Sequence, residues 1–255
     1  MEKGDIETYL TTLTALADFD KLPQHLTAPA LDEYASWLSM LTQVDMRERG
    51  AFVHFDIKQL RLIYPSNPHV GDRNSGDAVY GPRSNRFYPF VRSHSHPDNT
   101  CFSPHDLKRA IGSKQFIAEL LGTEESNYLV LRTEQTATEV ESEIVHKVMS
   151  EEMELYQNLF DKLRDIFPSA VREGTLPKDY AEYLDARYQE EEYKEFGSDI
   201  VTYMMTIATA LRIADEYKLG FYKSNKRGLF ARVDASILNE IHARLNAIPR
   251  RILSE

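Results

Sequence analysis

The hydrophobic pattern of this chain changes period near residue 134, and that change constrains the fold more than any other feature. Before it, short runs of β-branched, aromatic and aliphatic residues stand between turn signals. Residues 51–57 (AFVHFDI) and 59–64 (QLRLIY) read as two strands of a hairpin. Residues 86–96 read as a strand with Pro89 near its start, and 115–121 and 126–132 as two more. Two helices interrupt them. In residues 30–44, Tyr34, Trp37, Leu38 and Leu41 form one apolar stripe. Residues 103–112 carry strong start signals, with Ser103 suited to cap, Pro104 to the first helical position and Asp106 to the first turn. After residue 135 the spacing is helical almost throughout. Val145, Val148, Met149, Tyr156, Leu159, Phe160, Leu163 and Phe167 mark a helix over 137–167, and another follows over 178–196. Ser198 can cap a third, IVTYMMTIATALRIADEY, apolar nearly all round and therefore expected to be buried. A hairpin over 221–233, turning around Asn225–Gly228, precedes a last helix over 235–247. Upstream, Ile6, Leu10, Leu13 and Leu16 suggest a helix over 5–20, broken by Pro23 and Pro29. The expected organisation is a helical extension over 1–29, an α/β domain over 30–134 and a mostly helical domain over 135–255.

Composition narrows the function classes. With 255 residues the chain can bury a sizeable core. A net charge of −10 argues against a nucleic-acid partner, because phosphate binding wants a basic surface. One cysteine excludes an internal disulfide and fits a reducing, cytoplasmic setting. The N-terminus has no signal-peptide core, and no stretch reaches 18 uninterrupted apolar residues, so no membrane span is expected. The acidic run YQEEEYKEF reads as a solvated helix face.

Chemistry concentrates in RSHSHPDNTCFSPHDL, residues 92–107. On a strand, His94 and His96 point to the same face and can hold one metal ion together, although a half-buried structural pair has the same pattern. A turn then returns the chain as a helix, and Asp106 in its first turn would complete a His, His, Asp set. Three protein ligands with a fourth position left to water is the pattern of catalytic zinc. Each residue also has a plain structural role, Asp106 as an acid favoured by the helix dipole and Ser103 as an N-cap. Ser103 could instead donate to an oxyanion. His105 is expected at the surface or behind the ligands. Cys101 reads as a small semi-buried residue, or as a thiolate that reaches the metal. A hydrolytic zinc site needs a general base, and MRERGAFVHFD offers Glu48. The long segment 65–87 is either a lid or a passive connection, and nothing in the spacing of His69 and Asp72 makes them ligands.

Taken in order, Glu48, then His94-Ser95-His96-Pro97, then Ser103-Pro104-His105-Asp106 resembles the JAMM signature of the MPN-domain (JAB-domain) metalloproteases. That signature is an early glutamate, H-[ST]-H-P and S-x-x-D. The resemblance covers about residues 30–134. It departs in one place: six residues separate His96 from Ser103, where the family usually has seven.

The resemblance implies an α/β fold with a mixed, curved sheet flanked by helices. It implies Zn2+ on His94, His96 and Asp106, Glu48 as general base and Ser103 assisting the oxyanion. The activity implied is hydrolysis of peptide or isopeptide bonds, with a protein or peptide substrate such as a ubiquitin-like conjugate. The alternative is an inactive MPN scaffold whose helical C-terminal half mediates assembly, through self-association or a protein partner. A phosphoesterase built on HxH fits less well, because His25, His54, His146 and His242 stand in no such motif. One cysteine excludes a zinc deaminase.

Overall fold

A computed structural model describes residues 4–5, 18–56, 61–71, 87–97, 100–112, 116–137, 147, 150, 206–224, 226–234, 236 and 239. Its centre is a curled, mixed ten-stranded sheet. The strands are β1 (Gly4–Asp5), β2 (His25–Thr27), β3 (Arg49–Asp56), β4 (Arg61–Ile63), β5 (His69–Val70), β6 (Phe87–Ser95), β7 (Ala118–Gly122), β8 (Asn127–Leu131), β9 (Gly220–Ser224) and β10 (Leu229–Arg232). The order is β1-β2-β10-β9-β8-β7-β6-β3-β4, with β5 also on β3. Only β1/β2 and β6/β7 run parallel among these pairs. The helices against the sheet include α1 (Pro29–Asp45), α2 (Pro104–Gly112) and α3, whose described part is 206–216. The α/β class is as expected.

α1 forms where the stripe in residues 30–44 placed it. Pro29 occupies its first turn, where a missing N–H costs nothing. The helix ends on Met46 in the left-handed region, whose N–H reaches the Thr42 carbonyl at 2.8 Å. Leu31, Tyr34, Ala35, Leu38 and Thr42 are buried and face the sheet; Trp37 is only partly buried. Against them lie Ala51 and Val53 of β3, Val91 of β6, Ala118 and Leu120 of β7, and Leu129 and Leu131 of β8. Alternation along the strands sends the other residues to the opposite face. There Phe102, Tyr128 and Phe221 pack ring to ring with centroids 6.1–6.4 Å apart.

The sheet runs across both domain boundaries expected from the sequence. β8 would be an open edge without the β9–β10 hairpin, which lies some 90 residues downstream and pairs with it from Asn127↔Ser224 to Leu131↔Gly220. β10 in turn pairs with β2 of the N-terminal segment. The hairpin itself was legible around Asn225–Gly228; its place in the main sheet was not. Asp32 of α1 locks that closure, accepting from Asn127 Nδ2 at 2.7 Å and Gly228 N at 2.6 Å. The expected buried helix is present over 206–216, with Ile207, Ala208, Leu211, Ile213 and Ala214 buried. The helices expected over 137–167, 178–196 and 235–247 lie outside the described residues almost entirely, as does that over 5–20. No described helix is long and apolar enough to cross a membrane.

Candidate metal centre

β6 delivers the two histidines. Its pairs Gly50↔His94 on β3 and His94↔Leu121 on β7 seat His94 in the middle of the sheet. His96 follows the last strand residue, its N–H bonded to the Gly122 carbonyl at 3.1 Å. The intervening Ser95 points the other way. Its hydroxyl bonds Thr42 of α1 and accepts the Arg49 N–H at 3.0 Å, clamping the strand end from behind. The imidazole centroids of His94 and His96 are 5.0 Å apart on one face.

α2 delivers the acid. Ser103 and Asp106 form a reciprocal capping box: Asp106 N–H donates to Ser103 Oγ at 3.2 Å, while Asp106 Oδ2 accepts the Ser103 backbone N–H at 2.9 Å and its hydroxyl at 2.6 Å. The cap therefore fixes the carboxylate. Asp106 Oδ1 lies 3.6 Å from His94 Nε2, and Oδ2 lies 3.7 Å from His96 Nε2. One ligand atom from each of His94, His96 and Asp106 falls within 4.8 Å of the others. The shortened turn thus still brings Asp106 to the histidine pair.

The donor set, two imidazoles and a carboxylate, could hold a metal ion. His94 Nε2 is buried and lacks a hydrogen-bond partner, which is costly unless a further group takes its lone pair. His96 Nδ1 lies 3.1 Å from both the carbonyl and the hydroxyl of Thr100, which leaves Nε2 to face Asp106. Burial holds the His94 pKa below its ordinary value despite Asp106, so the ring is neutral near pH 7. Burial pushes Asp106 upward, but the two imidazoles and the Ser103 hydroxyl outweigh it and hold the carboxyl well below the usual range.

Glu48 stands just before β3. Its carbonyl accepts the Gly71 N–H at 3.0 Å. The β3/β6 ladder ends two residues further on, at Gly50↔His94, so Glu48 and His96 are each two residues beyond the last paired position at that end of the sheet. Gly50 also pairs with His69, which puts His69 in one row with His94 across a residue that has no side chain. His69 is outside the three-ligand group. Of segment 65–87, residues 72–86, Asp72 included, are outside the described residues. Cys101 is fully buried, its thiol pushed far up by burial and its N–H bonded to Thr206 Oγ1 at 3.1 Å. It too is outside the ligand group, and His105 is exposed, as expected.

Two residues behind the ligands were not legible as part of the site. Glu119, the second residue of β7, is 2% exposed, and Arg92 is its cross-strand partner in the parallel β6/β7 ladder. The one available signal was a lone acid in the otherwise apolar AELLG strand. Burial pushes Glu119 upward, while the Arg92 guanidinium bonded to it pulls the other way and favours the carboxylate.

No family model, curated protein or solved structure matches the chain.

Proposed function

We propose that the protein is a zinc-dependent hydrolase of peptide or isopeptide bonds, of the JAMM type. The observation that carries this reading is the convergence of His94 Nε2, His96 and Asp106 into one group of potential ligands, with the His94 nitrogen buried and unpartnered. His94, His96 and Asp106 would hold the ion. When bound, zinc supplies a Lewis acid that brings the pKa of water towards neutrality and polarises a carbonyl.

The remaining roles belong to the chain. Glu48 accepts the proton released from water and returns it to the leaving amine; it stands just before β3, two residues from Gly50, the partner of His94. Ser103 directs its hydroxyl proton to Asp106, so in this state it orients a ligand; the oxyanion contact that the resemblance implies needs that hydroxyl to turn away. The buried Phe102 ring beside His94, backed by Tyr128 and Phe221, supplies a dry wall that strengthens local electrostatics. Scissile-bond choice follows from the resemblance alone and extends to ubiquitin-like conjugates.

The test uses zinc-loaded full-length protein, its Glu48→Gln variant and its His96→Ala variant. Zinc stoichiometry by mass spectrometry should be near one for the first two and lost in the third. Incubation with peptides and ubiquitin-like conjugates should yield a cut product with the parent alone. Zinc binding without cleavage of any member of the panel refutes the hydrolase assignment and favours a scaffold; equal cleavage by Glu48→Gln removes Glu48 from the mechanism.

A further inference from the structure

Behind His94 lies an ionic pair that the proposed reaction does not use directly. Arg92 Nε donates to Glu119 Oε1 at 2.9 Å, and its Nη2 reaches the same oxygen. Arg92 Nη2 also lies 3.3 Å from the backbone carbonyl of Asp106. Glu119 Oε1 in turn faces His94 Nδ1 at 3.4 Å, a separation that closes to hydrogen-bond length with a shift of a few tenths of an ångström. One guanidinium therefore touches the carboxylate behind one ligand and the main chain of another. Glu119 is buried and Arg92 partly so, with side-chain exposures of 2% and 13%.

A buried ion pair is a poor device for stability alone, since apolar residues of similar size commonly do as well. Its placement suits a different task. A ring nitrogen that ligates a metal is oriented by what its other nitrogen donates to. An Nδ1–H directed at Glu119 fixes the tautomer in which Nε2 carries the free lone pair, and Nε2 is the His94 atom left without a partner.

We propose that Glu119 and Arg92 are positioning residues of the metal centre. Glu119, held by Arg92, takes the Nδ1–H of His94 and presents its Nε2 to the ion, while Arg92 anchors the first turn of α2 so that Asp106 meets it. The proposal rests on the zinc reading above.

Zinc dissociation constants, by competition with a chromophoric chelator, and the visible absorption of the Co2+-substituted protein test it on the full chain. The variants are Glu119→Gln, Arg92→Lys and His96→Ala, with urea unfolding of each metal-free form as the stability control. Glu119→Gln keeps the side-chain volume and removes a buried acid. It should bind zinc about 10–100-fold more weakly and alter the Co2+ bands, an affinity loss larger than any loss of metal-free stability caused by leaving Arg92 without its counter-charge. Arg92→Lys keeps the charge but loses the two-point contact, and should weaken binding in the same direction. Affinity within twofold of the parent in both variants overturns the proposal while leaving the zinc site standing. So does an affinity loss matched by an equal loss of metal-free stability, which marks a purely structural pair. Failure of the parent to bind zinc more tightly than His96→Ala overturns the site itself, and is thus distinct.

Discussion

Gly122 joins the packing of the fold to the geometry of the site, and replacing it by alanine tests that connection. Its carbonyl holds the His96 N–H, and it ends β7 directly under α1. A Cβ built there falls 2.1 Å from the Ala35 carbonyl oxygen and 2.9 Å from its carbon. An ordinary contact between such atoms is more than 3 Å, so the strand and the helix must part by about 1 Å. Both obstructing atoms are backbone, and no rotamer change relieves them. Overpacking typically costs about 1–3 kcal/mol, and the absence of a soft neighbour puts Gly122→Ala at the upper end, about 3 kcal/mol. The same displacement moves Thr42 away from Ser95 and disturbs the His96 anchor, so zinc affinity should fall with stability. Urea unfolding measures the first effect, with the midpoint lowered and the slope unchanged, and chelator competition the second. Gly112→Ala is the internal control, because nothing lies within 4 Å of a Cβ at that helical position; it should be neutral or stabilising by up to about 1 kcal/mol. A cost below about 0.5 kcal/mol for Gly122→Ala, the range of an ordinary surface change, would refute the argument.

Other outcomes follow from single contacts. Ser95→Ala leaves the buried Thr42 hydroxyl and the Arg49 N–H without their partner and should cost about 1–3 kcal/mol in chemical unfolding. Cys101 is buried and its thiol held in the protonated form, so labelling by a thiol reagent should track global unfolding, and Cys101→Ser should leave the redox response unchanged; fast labelling of the native protein would contradict this. Burial keeps the His54 pKa below its ordinary value, so the unfolded chain takes a proton near pH 6.5 that the folded chain resists. Stability should therefore fall as pH drops from 7 to 5, and His54→Leu should flatten that slope in pH-resolved denaturation.

How much of this was legible depended on the distance over which each feature is decided. The strand ending at Ser95, the helix beginning at Pro104, and the cap that joins Ser103 to Asp106 are local matters of period, φ preference and hydrogen-bond reach within three residues. They could be read from RSHSHPDNTCFSPHDL. The short strand β2 escaped because three residues carry no measurable period, and its pairing with β10 spans some 200 positions. Glu119 escaped because its partner is set by register: the parallel ladder puts it opposite Arg92 and within reach of His94.

By itself, then, the sequence determined which segments are strands and helices around the site, and which side chains share a face. It also determined the donor types, two imidazoles and a carboxylate. Only the tertiary structure decided that a turn of six residues returns Asp106 to within 3.7 Å of both rings. It alone decided that Gly50 pairs with His94, that Arg92 and Glu119 stand behind His94, and that the hairpin at 220–232 completes the sheet. The physical reason is that periodicity encodes which face a residue takes. Register and packing depend on strands meeting from distant parts of the chain, through backbone hydrogen bonds that no local pattern specifies.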